Sequence, residues 1–176
     1  MTTSKRILII ALILSTVIAI DQATKWVAIY YLSNSETIYR FGCDIFRLQY
    51  AENTGAFLSL GAGLPDGIRA SIMTGLNTVI LSALIIYIFL GKKITMLPLC
   101  AFSLVAAGGI GNLIDRIFRQ GRVVDFMNMG ITVNQFPLRT GIFNVADVAI
   151  MAGLFLIIAI EFLHLFSGKS KNEPAR

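Results

Sequence analysis

Four long apolar runs decide what this chain can fold into. Ile7 to Ile29, Ala70 to Leu90, Ile94 to Ile114 and Phe143 to Phe166 are each 21 to 24 residues long. A helix rises 1.5 Å per residue, so about 20 residues cross the ~30 Å hydrocarbon core of a bilayer and every run can span it. Of the 15 basic and 10 acidic residues, only Asp21, Lys25, Asp147 and Glu161 fall inside the runs. With 56% apolar and 14% charged residues, against about 25% charged in an ordinary soluble domain, a soluble globule is disfavoured. The reading is a membrane α-helical fold in one integral membrane domain over 1–176, with spans at about 7–29, 70–90, 94–114 and 143–166. The longer connections, about 30–69 and 115–142, lie on one side.

The net charge is +5, but the basic residues sit at the ends of apolar runs and form no stripe, which points to a membrane and away from nucleic acid. Lys5, Arg6, Lys92, Lys93, Lys169, Lys171 and Arg176 crowd into short flanks. On the positive-inside rule both termini and the 91–93 turn are cytoplasmic and the longer connections are outside. Arg116, Arg119, Arg122 and Arg139 on the outer side weaken that vote. Lys5-Arg6 followed by Ile7 to Ile20 also has the form of a cleavable signal peptide, but Asp21-Gln22 follows and no small-x-small site stands there. Cys43 and Cys100 are too few for a disulfide framework.

In the first outer connection Phe46, Leu48 and Tyr50 alternate with Arg47 and Gln49, the period of a half-buried strand, after a turn at Gly42-Cys43-Asp44. A small hairpin at the membrane surface is predicted. Gly61, Gly63 and Pro65 break the pattern, and an amphipathic turn from Asp66 to Ser71 leads into the second span. No internal repeat of the transporter kind is present.

An ionisable group in hydrocarbon costs ~2.5 to 3.5 kcal/mol on insertion scales, so each needs a partner or a task. Lys25 follows Asp21 by four residues, the spacing of an ordinary ion pair. Glu161 and His164 lie near the inner end of the last span, where both reach headgroups. Asp147 has no local counter-charge among Asn144, Val145, Ala146, Val148 and Ala149. Asp125 also has apolar neighbours, with Arg122 near enough to pair. Asp147 is ~6 Å from the outer start of its helix and Asp21 ~21 Å from the inner start of the first, so both lie near the outer face. Glu161, ~21 Å deeper than Asp147, cannot share its site.

The glycines of Gly108-Gly109-Ile110-Gly111-Asn112 let helices approach closely. Asn112, an amide near the bilayer, needs hydrogen-bond partners and can orient a carboxylate; Asn53 is weaker evidence, because loops favour Asn for turn geometry. Two close carboxylates share one proton, so one serves as base and the other as acid. Such a pair can activate a water against an amide carbonyl and later protonate the leaving nitrogen. With one His at the wrong depth and no Cys/His cluster, zinc and Ser-His-Asp chemistry are disfavoured, and no cofactor is expected.

These residues fall in five ordered motifs: Asp21-Gln22-Ala23-Thr24-Lys25, Asn53-Thr54-Gly55-Ala56-Phe57, Gly108 to Arg116, Val123-Val124-Asp125-Phe126, and Phe143-Asn144-Val145-Ala146-Asp147. In order and over nearly the whole chain they resemble the bacterial lipoprotein signal peptidases, or signal peptidase II. The resemblance implies an intramembrane aspartyl endopeptidase of the cytoplasmic (inner) membrane, acting near its outer face. It would cleave prolipoproteins on the amino side of a diacylglyceryl-modified cysteine. Asp125 and Asp147 match the catalytic pair, and Asp21, Asn53, Gly108, Asn112, Arg116, Asn144 and Ala146 match residues that line or support the site. The family's small sheet on the membrane agrees with the strand at 46–50. Lipidated prolipoproteins, membrane lipid and globomycin-type inhibitors are the implied partners, nucleic acid is not, and a monomer is expected. Met127-Asn128-Met129-Gly130 departs from an aromatic-rich stretch of many relatives. Neither Cys43 nor Cys100 follows an amino-terminal h-region, so the chain is not itself a lipoprotein. The rival classes are an ion-coupled carrier, which the missing repeat disfavours, and a structural subunit whose carboxylates sit in ion pairs.

Overall fold

A computed structural model describes residues 2–34, 37–55, 65–91, 94–133 and 136–169. Lys92, Lys93, Lys171, Arg176, Gly61, Gly63 and the Ala56-Phe57 part of the second motif lie outside the described residues. The chain is a multi-pass membrane protein: its four helices are α1 (Thr3–Leu32), α2 (Asp66–Leu90), α3 (Met96–Phe118) and α4 (Val145–Lys169), each long and apolar enough to span. Their outer surfaces carry exposed Leu12, Val79, Leu90, Phe155 and Phe162, apolar surface that belongs in contact with lipid.

The helices outrun the apolar runs. α1 has 30 residues, ~45 Å at 1.5 Å each, longer than the hydrocarbon core. Hydropathy marks where lipid begins, whereas a helix ends where its last turn loses backbone partners. Thr2 caps α1 by accepting the Lys5 N–H. Arg6 donates to the carbonyls of Ile88 and Gly91 at the C-terminal end of α2, which satisfies orphan acceptors and opposes the helix dipole. The two longer connections are accordingly shorter than predicted: the first begins after Leu32 and ends before Asp66, and the second runs from Phe118 to Val145.

α3 packs against α1, α2 and α4 and is the most buried helix. Ile10, Ile88, Leu99 and Ala106 form one core cluster among the spans. Both longer connections enter one antiparallel sheet in the order β1 (Tyr39–Phe41), β2 (Phe46–Asn53), β3 (Val123–Val133), β4 (Phe136–Arg139). The hairpin expected from the 46–50 alternation is β1–β2, turned through Gly42, Cys43 and Asp44, all with φ between 53° and 70°. The stretch from Met127 to Gly130 is part of β3, and Arg139 of β4 clamps it by donating to Asn128 Oδ1 and to the Asp44 carbonyl. Phe126 closes the sheet onto α1 at Ala28 and Leu32.

Candidate active site

Asp125 sits on β3 opposite Ala51. Pairing runs Leu48↔Met127 and then Ala51↔Asp125, so two residues of β2 face one of β3. This bulge, of the kind found beside active sites, lies next to the carboxyl and sets its direction. Asp147 is in the first turn of α4. The Asn144 side chain accepts the Asp147 N–H at 3.0 Å while Asp147 Oδ2 accepts the Asn144 N–H at 3.1 Å. That reciprocal pair starts the helix and holds the carboxylate at the positive end of its dipole.

Three asparagines aim N–H groups at the two carboxylates. Asn144 Nδ2 donates to Asp125 Oδ1 at 2.6 Å, Asn53 Nδ2 to Asp125 Oδ2 at 3.1 Å, and Asn112 Nδ2 to Asp147 Oδ1 at 2.8 Å. Asn53 is held in turn by the Gly55 N–H on its Oδ1 at 2.8 Å. Asn144 touches both aspartates and therefore bridges them. Asp125 is 2% exposed. Burial, and after it the charge of Asp147, push the Asp125 carboxyl up from its ordinary 3.8 to about 6, against the lowering pull of Asn53, Asn144 and Lys25.

Beneath this layer lies a buried ionic cluster. Asp21 Oδ1 accepts the Ala146 N–H at 2.9 Å and ties α1 to the start of α4. Lys25, fully buried, lies 2.9 Å from Asp21 Oδ2 and 3.1 Å from Asp115 Oδ2. Asp115 Oδ2 also accepts the Val124 N–H at 3.1 Å, next to Asp125. Gln22 donates to Asp21, Asp115 and the Gly111 carbonyl. The helices meet closely here: a Cβ on Gly108 would strike the Ala146 carbonyl, and one on Gly111 would stand 2.7 Å from Asp21 Oδ2.

A cavity of about 600 Å³ is lined by Asn53 and Asn112, which donate to the two carboxylates, while neither aspartate itself lines it. Asn53, Gly55, Asn112 and Arg116 give it a polar wall, and Met73, Leu76, Ile80 and Ile150, with Asn77 among them, a largely apolar one. Arg116 is steadied by donating to the Gly121 carbonyl at 3.0 Å. Trp26, Tyr30 and Tyr31 are exposed on α1 just beyond Lys25, and Trp26 stacks on Tyr30 at 5.9 Å. Trp and Tyr are enriched where a helix meets the membrane–water interface. Among the described residues no three His, Cys, Asp or Glu side chains converge as metal ligands.

Every residue singled out in the sequence thus has a place here: Asp125, Asp147, Asn53, Asn112 and Asn144 in the upper network, Asp21, Ala146 and Gly108 beneath it, and Arg116 on the cavity wall. Glu161 and His164 line a separate cavity with Tyr87 and Phe102, away from the dyad as expected from depth. The sequence reading missed Asp115 and Gln22 and gave Lys25 one partner only. A signal was present, since Gly108, Gly111, Asn112 and Asp115 recur at the period of one α3 face.

A family model described as signal peptidase (SPase) II matches residues 13–163. A lipoprotein signal peptidase of Chlorobium phaeovibrioides is 39% identical over 150 residues, covering 83% of this chain and 85% of that protein. Another, from Borrelia hermsii, is 30% identical over 142 residues, 81% and 82% of the two chains. Among solved structures, a bacterial membrane enzyme determined by the in meso method at 2.3 Å resolution superposes with a TM-score of 0.69 at 27% identity, over 95% of this chain and 93% of that one. The chain belongs to the signal peptidase II family, membrane proteases of lipoprotein processing.

Proposed function

We propose that the chain is an intramembrane aspartyl endopeptidase that removes signal peptides from prolipoproteins, cutting on the amino side of a diacylglyceryl-modified cysteine. The observation that carries this reading is the bridging of Asp125 and Asp147 by Asn144, next to a half-apolar cavity lined by Asn53 and Asn112, the other donors to the pair. Asp125 holds the shared proton, and Asp147 accepts the proton of a water placed between the two. The hydroxyl oxygen attacks the scissile carbonyl carbon while Asp125 protonates the carbonyl oxygen, giving a neutral tetrahedral diol. Asp147 then passes its proton to the leaving nitrogen, the C–N bond breaks, and Asp125 recovers a proton from a diol hydroxyl. Met73, Leu76, Ile80 and Ile150 give the apolar signal peptide a wall to lie on, and Arg116 offers donors to substrate carbonyls.

The same reading places the protein in the cytoplasmic (inner) membrane with both termini cytoplasmic and the dyad near the outer face. It makes lipid a neighbour and globomycin-type cyclic peptides inhibitors. Lys5, Arg6 and Gly91 share one end of the bundle, as the Arg6 to Gly91 bond requires. A reporter active only outside the cytoplasm, fused to the carboxyl end, is expected to be silent; activity there refutes the orientation. The function itself is tested by incubating purified protein with a diacylglyceryl-modified precursor and with the unmodified one. Cleavage of the first, with release of the signal peptide just before the cysteine, is expected, and an intact precursor refutes the proposal.

A further inference from the structure

Catalysis as proposed needs the Asn112 and Asn144 N–H groups to face the carboxylates, and an amide reversed end for end has nearly the same shape. Something must choose between the two orientations. Lys25 Nζ has three N–H donors and no acceptor. In a position with no solvent exposure it meets Asp21 Oδ2 at 2.9 Å, Asp115 Oδ2 at 3.1 Å and Asn112 Oδ1 at 3.0 Å. An i,i+4 ion pair accounts for the first contact and leaves the other two unexplained. Reversing Asn112 would set its NH2 against an ammonium and Oδ1 against the Asp147 carboxylate, two repulsions in a buried place.

The effect passes on. With Oδ1 of Asn112 held toward Lys25, Nδ2 is left for Asp147 Oδ1 at 2.8 Å. The same Oδ1 accepts Asn144 Nδ2 at 3.1 Å, which draws that NH2 to the side where Asp125 Oδ1 lies 2.6 Å away. Oδ1 of Asn144 is then free to accept the Asp147 N–H. Asn53 takes its orientation elsewhere, from the Gly55 N–H. We propose that Lys25 is a positioning residue: its ammonium sets the orientation of Asn112 and, through it, of Asn144, so that both amides donate to the dyad. The inference rests on the peptidase reading above and adds a residue that touches neither aspartate of the pair.

Lys25→Met alone leaves Asp21 and Asp115 buried without their ammonium and is expected to insert poorly. The decisive variant is Lys25→Met with Asp21→Asn, in which Asp115 keeps Arg119 Nε at 3.4 Å as counter-charge. Asp21→Asn alone is the reference, since there Lys25 still holds Asp115 and Asn112. Each is measured for membrane-inserted amount and for kcat and KM on the lipidated precursor. Asp21→Asn is expected to lose less than about tenfold in kcat. The double variant is expected to lose about 10²-fold more, as misplaced groups do, with KM within about threefold. Lys25→Arg, which keeps a cation and donors, is expected to recover part of kcat. A double variant as fast as Asp21→Asn overturns the proposal. So does a loss confined to KM, or failure of both the double variant and Lys25→Arg to accumulate, since Lys25 would then serve folding alone. A parent that does not cleave removes the peptidase reading and this inference with it, whereas a parent that cleaves beside an equally active double variant overturns the inference alone.

Discussion

Asp125→Asn separates two things that the carboxyl joins, catalysis and the pH dependence of stability. The folded site raises Asp125 from 3.8 to about 6. Two units at 1.36 kcal/mol each amount to about 3 kcal/mol. The sign follows from where the proton is bound more tightly. Between the two values the folded chain holds a proton that the unfolded chain has lost, so this stabilisation is complete below about pH 4 and gone once pH has risen through about 6. Asparagine does not titrate. The stability of the variant relative to the parent should therefore improve by about 3 kcal/mol from about pH 4 to about pH 8. A second effect does not depend on pH: the new amide turns an NH2 toward Nδ2 of Asn53 or Asn144, at a cost of about 1 to 3 kcal/mol. It shifts the whole curve and leaves its slope alone. Unfolding in lipid–detergent mixtures across that pH range, parent beside variant, reads the slope. Cleavage of a lipidated precursor in parallel is expected to fall by about 10² to 10⁴-fold, because an amide cannot do the acid–base work. Parallel stability curves would refute the account of the site's electrostatics, and near-normal cleavage with normal membrane insertion would sink the dyad.

Asp147→Asn is expected to abolish cleavage with the protein still inserted, and the double Asp125→Asn, Asp147→Asn variant to be hardly slower than either single one, as for groups that act as a unit; additive losses would argue for separate roles. Asn112→Ala and Asn144→Ala should each reduce turnover more than membrane accumulation, and unchanged turnover in both would remove them from the site. Gly108→Ala pushes a methyl into the Ala146 carbonyl and should cost about 1 to 3 kcal/mol; a variant that unfolds at the parent's temperature would contradict so close an approach of α3 and α4.

The spans were legible because hydrocarbon demands a run of apolar residues of sufficient length, and nothing in a short sequence imitates that. Their ends were not. Thr3 to Arg6 and then Tyr30 and Tyr31 continue α1 through polar and aromatic residues that are as stable at the interface as in water, so composition changes before the helix stops. β2 showed itself by alternation, because Leu48 and Tyr50 pack on the Ala28, Leu32 and Phe126 cluster. β3 did not, because Val123, Val124, Asp125 and Phe126 are all buried and a strand covered on both faces loses its period. The bulge beside Asp125 was beyond reach of any local pattern: it is a mismatch between strands some 70 residues apart, and neither strand alone contains it.

The site divides in the same way. Asp21, Asn112 and Asp147 stood out because a polar group in an apolar run is costly and must be answered by another group. What answers it is non-local. Asp21 and Ala146 are separated by 125 residues and Lys25 and Asn112 by 87, so sequence could name Lys25 only as the neighbour of Asp21 at i+4. That reading was incomplete for a reason that applies to the whole cluster. Two carboxylates and one ammonium, all nearly free of solvent, are held together by geometry: the ammonium is shared between Asp21 and Asp115, and each of these also accepts a backbone N–H, from Ala146 and from Val124. Those two N–H groups belong to the residues directly before Asp147 and Asp125. The ionic cluster therefore grips the backbone one residue ahead of each aspartate, while the asparagines grip the carboxylates themselves. Fixed at two points, each carboxyl can keep its place when water or substrate enters the cavity beside it.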